Sequence, residues 1–367
     1  MKKLLALLLL AVATLTLVAC SDDDEESGDA STAPPSEAAG ATTSTDVEGN
    51  VTLRLGYFPN ITHSQPIVGL QRGTYEEILG DNVTLETTTF NAGPSAIEAL
   101  FAGAIDATYI GPNPAINGYA QSGGEALRIV AGATSGGALL IVGPDAGIEE
   151  PADFAGKKVA SPQLGNTQDV ALRAWLLDNG LGAVESGGDV EVLPTANPDA
   201  LNLFKQGDVD AAWVPEPWAT RLIQEAGGEV FLDERDLWPD GAFVTTHLIV
   251  STDFLEEHSA VVKRLILASV ETTAWINENP EEAKELVNKG ILEVTGAALP
   301  AAVVDAAWPN LESTYDPVTS SLFGSAESAK QLEFIDEVPD AKIYALVLLN
   351  EVLAEKGLPE IKVEGGE

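Results

Sequence analysis

The chain has 367 residues, a length typical of about two domains, and 45% of them are hydrophobic, enough to build packed cores. Its 57 acidic and 19 basic residues give a formal net charge of −38. This charge argues against a nucleic-acid-binding protein and against unaided binding to an anionic membrane, because both partners are polyanions. The single cysteine, Cys20, excludes an intrachain disulfide.

The N-terminus has the pattern of a secretory signal. Lys2 and Lys3 precede an apolar run over residues 4–18, which is shorter than the roughly 20 residues of a membrane span. The run ends in Leu17-Val18-Ala19-Cys20, which resembles the lipobox of bacterial lipoproteins. That resemblance implies a signal peptide over residues 1–19 and lipidation of Cys20. An ordinary signal peptide with an incidental cysteine is the alternative.

The composition of residues 20–50 is typical of a tether. They include the acidic run Asp22-Asp23-Asp24-Glu25-Glu26 and many Ser, Thr, Ala and Gly residues, and from residue 21 onward they contain no aromatic, Leu or Ile. Such a segment cannot bury enough apolar surface to order itself. We therefore expect a lipid-anchored, disordered acidic tether, which is the only route by which we expect the chain to reach a membrane.

From residue 51 onward, short strands alternate with helices. The strand candidates are rich in Val, Ile, Thr and aromatic residues, and they span residues 51–57, 83–90, 107–110, 127–133, 139–142, 157–160, 190–193, 211–214, 229–232 and 244–250. Helical periodicity is clearest over residues 66–71, 95–102, 114–121, 168–179 and 217–226. This alternation predicts an α/β fold with mostly parallel sheets flanked by helices.

The last hundred residues are different, because they read as helices throughout. The predicted helices span residues 256–279, 280–289, 298–308, 325–337 and 341–356. A helical C-terminal third suits a chain that crosses to a second lobe and then returns. We place lobe 1 at residues 51–142 plus 239–367 and lobe 2 at residues 143–238.

The candidate site lies where the strands end. In open α/β sheets, ligands bind beyond the carboxyl ends of the strands, where helix N-termini offer unpaired N–H groups and a partial positive charge. Five such junctions carry residues favoured at helix starts: 58–66, 91–95, 111–114, 162–169 and 215–218. Together they predict a cleft that holds an anion with neutral N–H groups. Five well-capped helices without a ligand are the alternative.

Four motifs in these junctions resemble those of a known family. Gly56-Tyr57-Phe58-Pro59-Asn60, Gly111-Pro112-Asn113-Pro114-Ala115, Gly165-Asn166-Thr167-Gln168-Asp169 and Glu216-Pro217-Trp218 are similar to motifs of the substrate-binding lipoproteins of aliphatic-sulfonate, nitrate and taurine ABC importers. The resemblance covers residues 51 to about 279 and extends to binding proteins for thiamine-precursor pyrimidines. It implies a two-lobed type II periplasmic-binding-protein fold that closes on a small solute in a central cleft. It also implies delivery of that solute to a permease and ATPase complex.

Motif position implies a set of ligand-binding residues. Glu216 would suit an amine or a hydroxyl group on the solute, although capping of the following helix is the alternative. Phe58, Trp213 and Trp218 could pack an apolar part of an organosulfonate, while core packing is favoured for Trp213. The predicted ligand-binding set is Phe58, Asn60, His63, Asn113, Ser135, Gly136, Gly165, Asn166, Thr167, Gln168, Glu216 and Trp218.

The leading hypothesis is a lipid-anchored, extracytoplasmic and monomeric solute receptor for an aliphatic sulfonate. Taurine, nitrate or a thiamine-precursor pyrimidine are alternative solutes. An enzyme on the same fold is a second class of function, which the export signal and the lack of a paired acid and base argue against. A sensory or scaffold lipoprotein is a third. His63, His247 and His258 are far apart in sequence, and no motif indicates a metal, a cofactor or a phosphate loop.

Overall fold

The computed structural model describes residues 47–364. The described strands are β1 (Val51–Tyr57), β2 (Val83–Thr89), β3 (Ala107–Ile110), β4 (Leu127–Gly136), β5 (Ala138–Val142), β6 (Lys158–Ser161), β7 (Glu191–Pro194), β8 (Ala211–Pro215), β9 (Glu229–Asp233), β10 (Val244–Ser251) and β11 (Leu311–Ser313). All ten predicted strands are present, and only the short β11 was not predicted. The signal peptide, Cys20 and most of the tether lie outside the described residues.

Helices and single 3-10 turns connect these strands. The helices are α1 (Ser64–Arg72), α2 (Thr74–Leu79), α3 (Gly93–Phe101), α4 (Pro112–Gln121), α5 (Thr167–Asp178), α6 (Asn197–Gln206), α7 (Trp218–Ala226), α8 (Thr252–Glu257), α9 (Ser259–Glu278), α10 (Pro280–Thr295), α11 (Ala301–Ala307), α12 (Thr319–Gln331) and α13 (Val347–Glu355). The helical C-terminal third is confirmed, but the predicted helix over residues 256–279 is divided at His258 into α8 and α9. Helices α2 and α6 were not predicted.

The strands form two sheets. The first has the order β11-β4-β10-β3-β1-β2 and the second the order β7-β6-β8-β5-β9. In the first sheet β1 runs parallel to β2 and β3, and in the second β6 runs parallel to β7 and β8. The pairs made by β4, β5 and β10 are antiparallel. The prediction of mostly parallel sheets is therefore wrong, because the strands beside the two crossings between sheets run against the strands of the βαβ units.

The first crossing between the sheets lies at two glycines. Gly136 ends β4 and Gly137 precedes β5, and both have left-handed backbone conformations, with φ of 74° and 79°. Residues other than glycine rarely adopt this conformation. Strand β5, which the sequence analysis assigned to lobe 1, pairs with β8 and β9, so the crossing precedes residue 143. The chain returns between β9 and β10. Below, lobe 1 means the first sheet with its helices and lobe 2 the second sheet with its helices.

Each lobe has its own apolar core. Lobe 1 packs α1, α9 and α10 on one another and on the buried side chains of β1, β3, β4 and β10. In lobe 2, the ring of Trp175 stands edge-on to Phe154 and Trp213. Trp213 is fully buried and donates its indole N–H to Oε2 of Glu234 at 2.9 Å. Trp213 is therefore a core residue, in agreement with the alternative that the sequence favoured.

We find no described helix that is both long enough and apolar enough to cross a membrane.

Candidate functional site

A cavity of about 30 Å³ lies between the two sheets. Its lining residues follow the carboxyl ends of three strands in each lobe, namely β1, β2 and β3 in lobe 1 and β6, β7 and β8 in lobe 2. Strand β10 adds two threonines. The lining consists of Phe58, Asn60, Thr62, His63, Asn91, Gly111, Asn166, Thr167, Gln168, Asn197, Pro215, Thr245 and Thr246. This position is the one expected for a ligand site in an open α/β sheet.

Three helices begin at the cavity. Gly111 is the N-cap of α4, Asn166 is the N-cap of α5, and Asn197 is the first residue of α6. The N-cap of α6 is Ala196. None of these three N-caps, Gly111, Asn166 and Ala196, makes a side-chain capping hydrogen bond.

Backbone N–H groups of a first helical turn have no partner inside the helix and carry a partial positive charge. Pro112, Pro114 and Pro198 have no N–H, so the first turns of α4 and α6 offer few such donors. The first turn of α5 contains no proline and offers the N–H groups of Thr167, Gln168 and Asp169, so most of the backbone donors belong to lobe 2.

The two lobes come close together at the starts of α4 and α5. A Cβ atom added to Gly111 would overlap the hydroxyl oxygen of Thr167, and it would lie 3.5 Å from the carbonyl oxygen of Thr245. The backbone of Gly111 has a φ of −70°, so its conformation does not require glycine. The requirement for glycine at this position comes instead from the short distance between the lobes.

His63 supplies an imidazole ring to the lobe 1 side of the cavity. The ring stacks on Phe58 with the centroids 4.5 Å apart, and its Nδ1 accepts a long hydrogen bond of 3.4 Å from the Phe58 N–H. Since Nδ1 accepts, Nε2 carries the proton of the neutral ring. Burial lowers the pKa of His63 to about 3, so the ring is neutral in ordinary buffers. His63 therefore acts as a polar, uncharged group.

No carboxylate, lysine or arginine belongs to the lining formed by residues 47–364. The nearest carboxylate along α5, that of Asp169, is fully buried and turned toward its own loop. It accepts hydrogen bonds from Ser161 Oγ at 2.6 Å, from the Gly165 N–H at 2.9 Å and from Arg173 Nε at 3.0 Å. These bonds hold the loop that leads into α5 without placing a charge in the cavity.

Two lining side chains carry buried oxygens without a hydrogen-bond partner. Thr167 and Asn197 are each 5% exposed, and neither Thr167 Oγ1 nor Asn197 Oδ1 has a partner among the residues that the structure describes. A buried polar atom left unpaired is unfavourable by about 1–3 kcal/mol. Both atoms are therefore candidates for direct contact with a ligand.

Six of the twelve predicted site residues line the cavity. They are Phe58, Asn60, His63, Asn166, Thr167 and Gln168. Asn113 and Gly165, although they belong to the same motifs, do not line it. The Asn113 side chain turns away and donates to the Ser325 carbonyl at 3.3 Å, and Gly165 turns the chain before α5 with a φ of 73°.

Ser135 and Gly136 line a different cavity. It measures about 340 Å³, lies at the crossing between the lobes, and is bordered also by Arg235, Asn310 and Glu312. Neither residue lines the cavity between the sheets, because the end of β4 pairs with β11 at the crossing, and their contact with a ligand stays a prediction.

Glu216 caps a helix and does not line the cavity. Its carboxylate accepts hydrogen bonds from the Thr220 N–H at 3.0 Å, the Thr220 hydroxyl at 2.9 Å and Asn310 Nδ2 at 2.7 Å. Burial raises the pKa of Glu216, and these hydrogen bonds partly offset that effect. Trp218, two residues later, contacts the site only indirectly, by donating its indole N–H to Asn60.

Several lining residues were not predicted. Asn91, Gly111 and Pro215 stand in junctions that the sequence singled out, but other residues of those junctions were chosen.

Asn197 belongs to a sixth junction, after β7, where Asn197-Pro198 has the same helix-start pattern as Asn113-Pro114. Thr245 and Thr246 lie within β10, and only the pairing of β10 between β3 and β4 brings them to the site. Thr62 lies in the 3-10 turn that follows Asn60.

The described residues also contain no group of histidines, cysteines and carboxylates that could hold a metal ion.

A polar cavity between two α/β lobes defines a two-lobed periplasmic-binding-protein fold, and solved structures share it. The alkanesulfonate-binding protein SsuA from Xanthomonas axonopodis pv. citri, bound to MOPS, aligns with a TM-score of 0.65 at 20% identity, covering 80% of this chain and 96% of that chain. The periplasmic nitrate-binding protein NrtA from Synechocystis PCC 6803 aligns with a TM-score of 0.71 at 18% identity, covering 85% and 92%. At these identities the similarity establishes the fold.

The family follows from the sequence. The model of the NMT1-like family matches residues 46–290, more than half of the chain, so the chain belongs to this family. The taurine-binding periplasmic protein of Escherichia coli K12 is 26% identical over 201 residues, which is 54% of this chain and 59% of that protein. The resemblance that the motifs indicated is therefore confirmed at the level of family and fold.

Proposed function

We propose that this protein is the solute-binding component of an ABC importer and that it captures a small oxyanion-bearing solute between its lobes. The observation that carries the proposal is the uncapped, proline-free start of α5 at a cavity with no charged side chain in its described lining. Backbone N–H groups can hold an anion without a basic residue. This also explains how a chain of net charge −38 can bind an anion.

The size of the cavity narrows the range of solutes that the related proteins suggest. An aliphatic sulfonate is the first candidate, because the related solved structure holds a sulfonate, and taurine, nitrate or a thiamine-precursor pyrimidine are the alternatives. The cavity, at about 30 Å³, is small for a ligand site. A head group of a few atoms suits this space, whereas an alkyl chain needs the lobes further apart.

A thermal-shift panel on the full chain in mild detergent tests the binding role. The panel contains alkanesulfonates, taurine, nitrate, sulfate, hydrogencarbonate and hydroxymethylpyrimidine. A ligand at 100 times its Kd adds about 2.7 kcal/mol to the free energy of unfolding, or roughly 5 °C in Tm. A rise with an oxyanion supports the proposal. A rise with the pyrimidine alone supports a solute receptor but contradicts an anionic solute. No rise with any of these solutes contradicts the proposed capture of a small oxyanion.

We further propose that the solute leaves unchanged, so that the protein is not an enzyme. The described lining offers no carboxylate as a general base, and His63, whose pKa burial lowers to about 3, is a weak base. Mass spectrometry of the solute after prolonged incubation checks this point, because any product at substoichiometric protein indicates turnover.

We also propose that Cys20 is lipidated and holds the protein on the outer face of the cell membrane as a monomer. The sequence pattern at residues 17–20 supports the anchor, and the acidic composition makes unaided membrane binding unfavourable. Labelling cells with a radioactive fatty acid should mark the wild-type chain and leave Cys20→Ala unmarked. Light scattering of the detergent-free, unlipidated Cys20→Ala chain checks the monomer.

A further inference from the structure

In the lining of the cavity, Asn197 places a buried hydrogen-bond acceptor that has no partner among the described residues. Its Oδ1 is buried and has no partner among residues 47–364, and the residue lines the same cavity as the starts of α4 and α5. Asn60 Oδ1, another side-chain oxygen of the lining, already accepts from Trp218 Nε1 at 3.1 Å. Two lobe 1 threonines of the lining are also engaged, since Thr245 donates to the Gly136 carbonyl and Thr246 to the Thr62 carbonyl.

The unpaired acceptor and the uncapped donors bind different chemical groups of a solute. The N–H groups at the start of α5 require oxygen acceptors on the solute. Asn197 Oδ1 requires the opposite, an N–H or O–H group. A solute that lacks this group would leave the amide oxygen unpaired inside a dry site, and such sites reject analogues that lack the expected donor.

We infer that Asn197 is a specificity-determining residue and that the preferred solute is an oxyanion that carries its own N–H or O–H group. This inference rests on the proposed function and narrows its solute class. Nitrate and simple alkanesulfonates cannot donate a hydrogen bond to Asn197 Oδ1 at neutral pH, because they have no hydrogen on a polar atom. Hydrogencarbonate and taurine have both acceptor oxygens for the N–H groups and a donor group for Asn197 Oδ1.

Two matched pairs of solutes test whether a donor group on the solute strengthens binding. Hydrogencarbonate and nitrate are planar anions of equal charge with the same number of non-hydrogen atoms, and only hydrogencarbonate has an O–H group. Taurine and 1-propanesulfonate have the same length, with an ammonium group in the first where the second has a methyl group. Calorimetric titration of the full chain in mild detergent should show the donor-bearing member of at least one pair binding about tenfold tighter or more.

The variant Asn197→Ala tests the residue. It should reduce the preference within that pair to about twofold or less and leave the affinity for the donor-free member within about threefold. Retained binding of the donor-free member also shows that the variant folds. Asn202→Ala, on the exposed face of the same helix, is the matched control and should keep the wild-type preference.

The outcomes separate this inference from the proposed function. Equal affinities within both pairs, or tighter binding of nitrate and propanesulfonate, overturn the inference and leave the receptor role intact. A preference that survives in Asn197→Ala overturns the role of Asn197. Absence of binding by every solute of the panel overturns the proposed function, and the inference with it.

Discussion

Trp218 and Asn60 join the two lobes beside the cavity. The indole N–H of Trp218, at the start of α7 in lobe 2, donates to Oδ1 of Asn60, at the end of the loop after β1 in lobe 1, at 3.1 Å. Asn60 is 7% exposed and lines the cavity, whereas Trp218 does not. This hydrogen bond therefore exists only when the lobes are close enough to surround a solute.

Replacing Trp218 with Phe should weaken solute binding about three- to tenfold, because the ring remains and only the hydrogen bond between lobes is lost. The loss should appear mainly as faster dissociation, which stopped-flow fluorescence measures. Trp275→Phe is the control. Trp275 lies on α9, its ring packs under Arg72 of α1, and it does not line the cavity. An unchanged dissociation rate in Trp218→Phe would show that this bond does not stabilise the bound state.

Replacing Gly111 with Ala should weaken solute binding about tenfold or more. The added Cβ would overlap the Thr167 hydroxyl, so the lobes could no longer approach as closely. Because the backbone of Gly111 accepts alanine, the Tm without solute should change little. Gly182→Ala is the control, since its Cβ would meet its nearest atom at 3.4 Å. Calorimetry on both variants checks this, and equal affinities would contradict the close approach of the lobes.

Glu216→Gln should reduce stability without changing the choice between taurine and 1-propanesulfonate. The glutamine brings an NH₂ group among the donors from Thr220 and Asn310, so one of them loses its acceptor, at about 1–3 kcal/mol. Chemical denaturation and calorimetry with both solutes measure the two effects. A selective loss of taurine would instead identify Glu216 as the partner of its amine, as the sequence allowed.

Glu234 should make stability fall as the pH rises. Burial, reinforced by the nearby charge of Asp233 and partly offset by the Trp213 hydrogen bond, raises the pKa of Glu234 from 4.5 to about 7. For a carboxyl whose folded pKa is raised, the folded state is favoured when the group is protonated. This contribution is complete below about pH 4.5 and is lost as the pH rises through about 7.

Glu234→Gln should remove this dependence. The free energy of unfolding of the variant, relative to wild type, should increase between pH 5 and pH 8 by up to about 3 kcal/mol. Glu185→Gln serves as the control carboxyl because Glu185 lies on the surface of the same lobe, where it pairs with Arg173. Parallel pH profiles for wild type and Glu234→Gln would show that Glu234 does not titrate in this range.

His63 should not make binding depend on pH between about 5.5 and 8. Burial lowers its pKa from 6.5 to about 3, so the ring stays neutral across this range. The stability that the neutral ring contributes is complete above about pH 6.5 and declines as the pH falls toward 3, because the unfolded chain then binds the additional proton. Titrations with propanesulfonate, whose charge is constant, check the binding. A tenfold change in affinity near neutral pH would mean that His63 titrates there.

The predicted half of the site consists of residues that stand directly after strands. Asn60 and Asn166 could be found because the strand periodicity and the helix-start residues are local properties of the sequence. Glu216 has the same local pattern, yet it turns back to cap α7, because Asn310 from a segment 94 residues later stabilises its buried carboxylate. Local signals do not distinguish a helix start that faces a ligand from one that a side chain already satisfies.

The sequence by itself determined the strands, most helices, the acidic charge and the location of the candidate cavity at strand ends, since each follows from composition and short-range pattern. The tertiary structure alone decided which junctions meet. Pairing of β10 between β3 and β4 brings Thr245 and Thr246 to the cavity, and the crossing at Gly136-Gly137 moves β5 into the second sheet. These outcomes depend on contacts between residues far apart in the chain, because strand pairing and the approach of two lobes are set by the packing of the whole core.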